Sequence, residues 1–156
     1  MIKLSSSQLL IGLAFLLGGC ASASGPLFDS DTKPQPQKAL ILFFRPDLFY
    51  AGGASPDVYV DNAKVGSIDN GGYIVINLEP GGHVVTVPHN FWNWDEECSP
   101  VELQVTASKT YYVELALDVK KSTSLVVFQT YESRCQLKEL DEQDALPLIK
   151  LTRQSK

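Results

Sequence analysis

The thiol of Cys20 is the side chain in this sequence most clearly placed for a defined chemical event. It closes the segment Leu17-Gly18-Gly19-Cys20, which follows a short positive start, Met1-Ile2-Lys3, and an apolar run over residues 9–17. A charged start, a short apolar stretch and small residues before the cut form the pattern of a secretory signal peptide. With cysteine in the last place the pattern is a bacterial lipobox: Gly18 and Gly19 let the chain lie extended in a peptidase cleft, and the thiol receives a diacylglyceryl group. As a helix the apolar run would span about 14 Å, roughly half a bilayer core, so it is too short for a permanent transmembrane anchor. Cleavage would leave a mature chain running from Cys20 to Lys156, held to a membrane by its lipid. Ala21 and Ser22 follow the cysteine, and no Asp stands beside it to mark inner-membrane retention. The expected destination is the outer membrane, on its periplasmic side, with a Gram-positive surface as the alternative that the lipobox itself does not separate.

Three cysteines are present, and lipid consumes one. Cys98 and Cys135 remain, and in an oxidising compartment they have a single possible pairing. CxxC spacing and clustered histidines, which a redox or metal pair would need, are missing. A structural disulfide between Cys98 and Cys135 is the expectation.

The stretch His89-Asn90-Phe91-Trp92-Asn93-Trp94-Asp95-Glu96-Glu97-Cys98 concentrates aromatic and acidic groups. Trp92 and Trp94, with His89 nearby, have three readings. Their indole faces can stack on sugar rings while Asn and Asp bond the hydroxyls. They can anchor a protein interface. They can also cap the open end of a core and cover the cysteine bridge. A metal site drawn from His83, His89, Glu96 and Glu97 matches no standard ligand spacing. No G-x-S-x-G is present, and Asp95, Glu96 and Glu97 are adjacent rather than opposed across a cleft, as a glycosidase would need. The sequence gives no positive support for an enzyme, a metal or a cofactor, and none is expected. Formal charge is -5, and loss of Lys3 with the signal makes the mature chain more acidic still. That balance speaks against nucleic acid and against electrostatic docking on anionic lipid.

The elements that must position these groups are strands. Residues 21–37 are rich in Ala, Ser, Pro and Gln without apolar period, and read as a flexible tether with a typical span of about 25 Å. Residues 39–45 form a continuous apolar run, the pattern of a strand buried on both faces. Residues 57–60 alternate, and Asp61-Asn62, tolerant of positive φ, turns the chain into a partner strand at 64–68. Asn70-Gly71-Gly72 turns it again, and Ile74, Ile76 and Leu78 share one face of the next strand. Pro80-Gly81 then suits a type II-like turn. Further strands are expected at 83–87, 101–105, 111–117 and 124–131, followed by a short helix over 142–149 with Asp141 as N-cap and Pro147 within. Short strands at this spacing, each bounded by turn residues, predict an all-β, antiparallel β-sandwich of about seven to eight strands with a short C-terminal helix. Arg45, closing the first strand, is expected to pair with Asp47 or Asp57. The domain plan is a signal peptide over 1–19, a lipidated cysteine and tether over 20–37, and one β-sandwich over 38–156.

Five ordered motifs carry a resemblance: Phe43-Phe44-Arg45-Pro46, Val58-Tyr59-Val60-Asp61, Lys64-Val65-Gly66, Asn70-Gly71-Gly72-Tyr73 and Leu78-Glu79-Pro80-Gly81-Gly82-His83. They resemble the DUF2846 domain of bacterial lipoproteins over residues 38–117, and the middle portion is similar to PEGA-type modules of prealbumin-like topology. The resemblance implies a β-sandwich and an envelope location, and no activity. The expected role is a lipid-anchored, non-enzymatic interaction or assembly module. The alternative is a glycan- or peptidoglycan-binding lipoprotein using Trp92 and Trp94.

Overall fold

The structure, a computed structural model, describes residues 22–91, 93–122 and 130–156. Cys20, Trp92 and most of the strand expected at 124–131 lie outside the described residues. The described chain forms two sheets and one helix. In chain order they are β1 (Ala39–Arg45), β2 (Asp57–Val60), β3 (Ala63–Ser67), β4 (Gly72–Leu78), β5 (Gly81–Thr86), β6 (Cys98–Ser99), β7 (Val101–Val105), β8 (Thr110–Ser122), β9 (Thr130–Leu140), α1 (Glu142–Ile149) and β10 (Arg153–Gln154). One sheet has the order β10-β4-β1-β8-β9-β6 and the other β3-β2-β5-β7.

This is the expected all-β sandwich, with two refinements. The described residues hold more strands than anticipated, and the pairs β1–β8, β10–β4 and β6–β9 run parallel within an otherwise antiparallel scheme. The extra strands are the short β6 and β10, and β9 lies mostly beyond the span expected at 124–131. Glu132 to Leu140 is rich in charged residues with low β-propensity, yet β9 pairs with β8 from Tyr112↔Leu140 to Ser122↔Thr130. Partner strand and cysteine bridge override local preference there.

The apolar run of β1 is buried throughout, and its alternation feeds two cores. Ala39, Ile41 and Phe43 point between the sheets, where Val58, Val60, Val85, Leu103 and Val105 meet Ile74, Ile76, Val113 and Leu115. Leu40, Leu42 and Phe44 point to the other face, where Ala145 and Ile149 of α1 cover them together with Phe28. The large sheet is therefore the middle layer of three. Asp61 and Asn62 both adopt positive φ (50° and 66°), as a two-residue hairpin whose twist matches its strands requires. Pro80-Gly81 does something different from a simple reversal: β4 pairs with β1 while β5 pairs with β2 and β7, so this corner carries the chain from one sheet to the other. Gly81 makes the crossing at φ 147°.

The tether expectation is corrected over its described part. Residues 23–28 hydrogen-bond to the domain: Ala23 N–H to the Asn70 carbonyl (3.0 Å), Gly25 N–H to Gln154 (3.1 Å) and Phe28 N–H to Thr152 (3.1 Å), while Gln154 N–H returns to Pro26 (2.8 Å). Phe28 sets its ring edge-on to Tyr73 at 5.5 Å. Polar composition suggested a chain without partners; C-terminal backbone supplies them. Helix α1 occupies the expected span, but Asp141 caps it only through its carbonyl, which receives Asp144 and Ala145 N–H; its side chain makes no cap bond.

Candidate functional site

The chemically dense region is the end of the sandwich where β1 finishes and β2 begins. Two long connections meet there, residues 46–56 and 87–97. Arg45 is in phase with Ala39, Ile41 and Phe43, so strand alternation aims its guanidinium inward, and it is fully buried. It donates to the carbonyls of Ala51 (2.7 Å) and Ala54 (2.8 Å) and lies 5.1 Å from the Trp94 ring centre. Burial pushes its pKa down to about 10, against the pull of Asp47 and Asp69. The expected pairing with Asp47 or Asp57 is corrected: Asp57 is engaged by Lys64 (2.8 Å) and Ser67 (2.6 Å) at the β2–β3 edge. Arg45 is instead the peg around which the first loop folds.

Trp94 is 2 % exposed and lies in the inter-sheet core cluster. It is held by reciprocal backbone bonds with Asn90, both 2.7 Å. One indole face is turned toward the Arg45 cation, so Trp94 is a core cap. Of the three readings, Trp94 takes the capping one, and its use as a stacking platform is corrected, because a buried indole cannot offer its face to a sugar. His89 goes the other way, outward, with Nε2 3.1 Å from Asp95 Oδ1. The structure does not bring His89 and Trp94 together.

Asn93 joins the two loops. Its side-chain carbonyl accepts Ser55 N–H (3.1 Å) and its amide donates to the Ser55 carbonyl. Below it, Tyr50 donates to Glu96 Oε1 (2.9 Å) and contacts Ser133 Oγ (3.0 Å), and Ser133 also donates to Glu96. The Ser133 bond alone would draw the Tyr50 pKa down, but burial and the Glu96 carboxylate outweigh it and raise it. A pocket of about 350 Å³ opens here, lined by Tyr50, Phe91, Asn93, Trp94, Asp95 and Glu96. Phe91 at its rim is 76 % exposed.

Behind the pocket, Cys98 on β6 faces Cys135 on β9 in register, and the two form the expected disulfide, Cα to Cα 4.4 Å. His83 is at the far end of the sandwich, between Asp61 (2.6 Å) and the Glu79 carbonyl (2.8 Å), remote from His89. Among the described residues no three His, Cys, Asp or Glu side chains converge on a point.

Sequence reasoning missed Asn70. Its side chain holds the first loop by accepting Leu48 N–H (3.1 Å) and donating to the Leu48 carbonyl (3.0 Å) and to Asp47. It is 5 % exposed, and its position before Gly71 marked it only as a turn residue. Ser133 was missed as well, and Asn93 stood out only as a polar neighbour of the tryptophans. Arg45 carried a usable signal: a cation closing a wholly apolar strand needs buried acceptors.

A family model described as a protein of unknown function (DUF2846) matches residues 35–129. No curated protein and no solved structure matches the chain.

Proposed function

The chain belongs to the DUF2846 family, and from that premise we propose that it serves as a lipid-anchored, non-enzymatic interaction or assembly module of the bacterial envelope, on the periplasmic side of the outer membrane. One observation carries the reading: the lipobox ending in Cys20 stands before a domain whose two remaining described cysteines are bonded to each other. Thiol chemistry is thus divided into one lipid acceptor and one structural bridge, as export into an oxidising compartment favours. A non-catalytic role is supported by how the polar groups of the dense end are spent. Arg45 serves two carbonyls, Asn93 bonds both backbone groups of Ser55, and Glu96 takes Tyr50 and Ser133. Such bonds hold loops in shape.

The test is palmitate labelling of cells expressing the full chain or Cys20→Ser. Label in the wild type, with an unlabelled and unprocessed mutant, supports the anchor. Equal labelling of both removes it. Cross-linking in intact cells then identifies the envelope partner.

The glycan reading keeps one observation in its favour, the pocket beside Trp94 in which Phe91, Asp95 and Glu96 offer an aromatic edge and hydroxyl acceptors. Titration with peptidoglycan fragments decides it. Saturable chemical-shift changes in residues 89–96 support it, and their absence at millimolar fragment ends it.

A further inference from the structure

The docked N-terminal segment is described from Ser22, two residues after the expected lipid acceptor Cys20. Ser22 bridges Asn70, and Ala23 N–H bonds the Asn70 carbonyl (3.0 Å). Cys20 precedes Ser22 by two residues, so covalent geometry keeps their Cα atoms within about 7 Å of each other. Ser22 also lines a cavity of about 430 Å³ with Asp47, Leu48, Phe49, Gly52, Gly53 and Asn70. That cavity is the underside of the first loop, which Asn70 clamps through both backbone groups of Leu48. At the tip of the clamped loop Phe49 is 104 % exposed, more than in an extended peptide. A fully exposed phenylalanine on a braced loop, beside the exit point of an acyl anchor, has one apolar phase within reach.

We infer that the β1–β2 loop is a bilayer-docking surface, with Phe49 inserted at the headgroup–acyl boundary beside the lipid of Cys20. This rests on the lipoprotein reading and adds a defined orientation to it: the β1–β2 end faces the membrane, and the β4–β5 corner with the 107–109 turn faces away. The anchor holds the loop at high effective concentration over the surface, so one aromatic insert suffices where a soluble protein would need several. The partner is uncharged lipid. The chain is acidic, and the charged side chain of the loop, Asp47, is already engaged by Asn70.

The full chain is expressed as Phe49→Cys and, separately, as Lys109→Cys. Each is labelled with an environment-sensitive fluorophore and reconstituted into phosphatidylcholine vesicles carrying spin-labelled lipid. Lys109 is exposed and lies at the opposite end of the large sheet, where Leu40 pairs with Thr110. The expected result is a blue-shifted probe at position 49, quenched several-fold more than the probe at 109. Equal or negligible quenching of both, on protein that floats with the vesicles and carries acyl mass on Cys20, overturns the docking surface and leaves the anchor standing. Protein that fails to float and lacks acyl mass overturns the anchor, and the docking surface with it.

Discussion

Replacing Trp94 separates a structural indole from a binding one, and the structure sets the size of each effect. Trp94→Ala removes a 2 % exposed side chain from the inter-sheet core and leaves a cavity over Arg45. Large-to-small changes of this kind cost about 3–5 kcal/mol. The cation would lose its aromatic cover, but water admitted by the cavity would solvate it, so the middle of that range, about 4 kcal/mol, is expected. For a domain of this size that is a fall in melting temperature of about 10–15 °C. Trp94→Phe is the informative companion. The indole Nε1 is buried without a hydrogen-bond partner among the described residues, so phenylalanine gives up no bond seen there and keeps an aromatic face for Arg45. Its cost should stay below about 1.5 kcal/mol, chiefly from lost volume. The assay is urea unfolding followed by far-ultraviolet circular dichroism, with the disulfide intact and the slope compared among variants. A harmless alanine, or a phenylalanine as damaging as the alanine, would refute the reasoning.

Three further perturbations test the rest of the frame. Loss of the Cys98–Cys135 bridge, which closes a 37-residue separation, should cost up to about 4 kcal/mol on the chain-entropy model; mass analysis of exported protein should find both thiols blocked before reduction. Gly81→Val should destabilise by roughly 1–3 kcal/mol, since φ 147° is hostile to any β-carbon although no atom stands near the one added; Gly82→Ala, whose new carbon meets only the movable amide of Gln104, is the mild control in the same melts. Asp61 and His83 form a pH-dependent lock. The Asp61 hydrogen bond, with the Glu79 carbonyl, raises the His83 pKa, and Val84 N–H and His83 lower that of Asp61. The histidine contribution is complete below about pH 6.5 and is lost as pH rises through its raised value; the aspartate contribution is complete above about pH 4 and is lost on acidification. His83→Gln should flatten the alkaline decline of the urea midpoint, and an unchanged slope would show that the pair contributes nothing.

What the sequence determined by itself was whatever depends on near neighbours in the chain. The Asp61-Asn62 hairpin rests on two residues that accept positive φ, and β1 on six apolar residues before Arg45. The span of α1 was legible from Asp141 at its start, although that side chain makes no cap bond. The disulfide was legible by elimination, because Cys98 and Cys135 had only each other. Tertiary structure decided everything that needed a partner from elsewhere. Residues 23–28 look like free linker until Thr152 and Gln154 return to pair with them. The charged run of β9 becomes strand because β8 offers a long ladder. Arg45 hydrogen-bonds two loop carbonyls, since strand alternation turns it inward under the first loop, while Asp47 and Asp69 act on it through their charge. The aromatic run from 89 to 96 divides for the same reason. His89 and Trp94 have similar freedom in sequence, but only one of them fits under the roof that Arg45, Ala51 and Ala54 make, and burial of apolar area assigns that place to the indole.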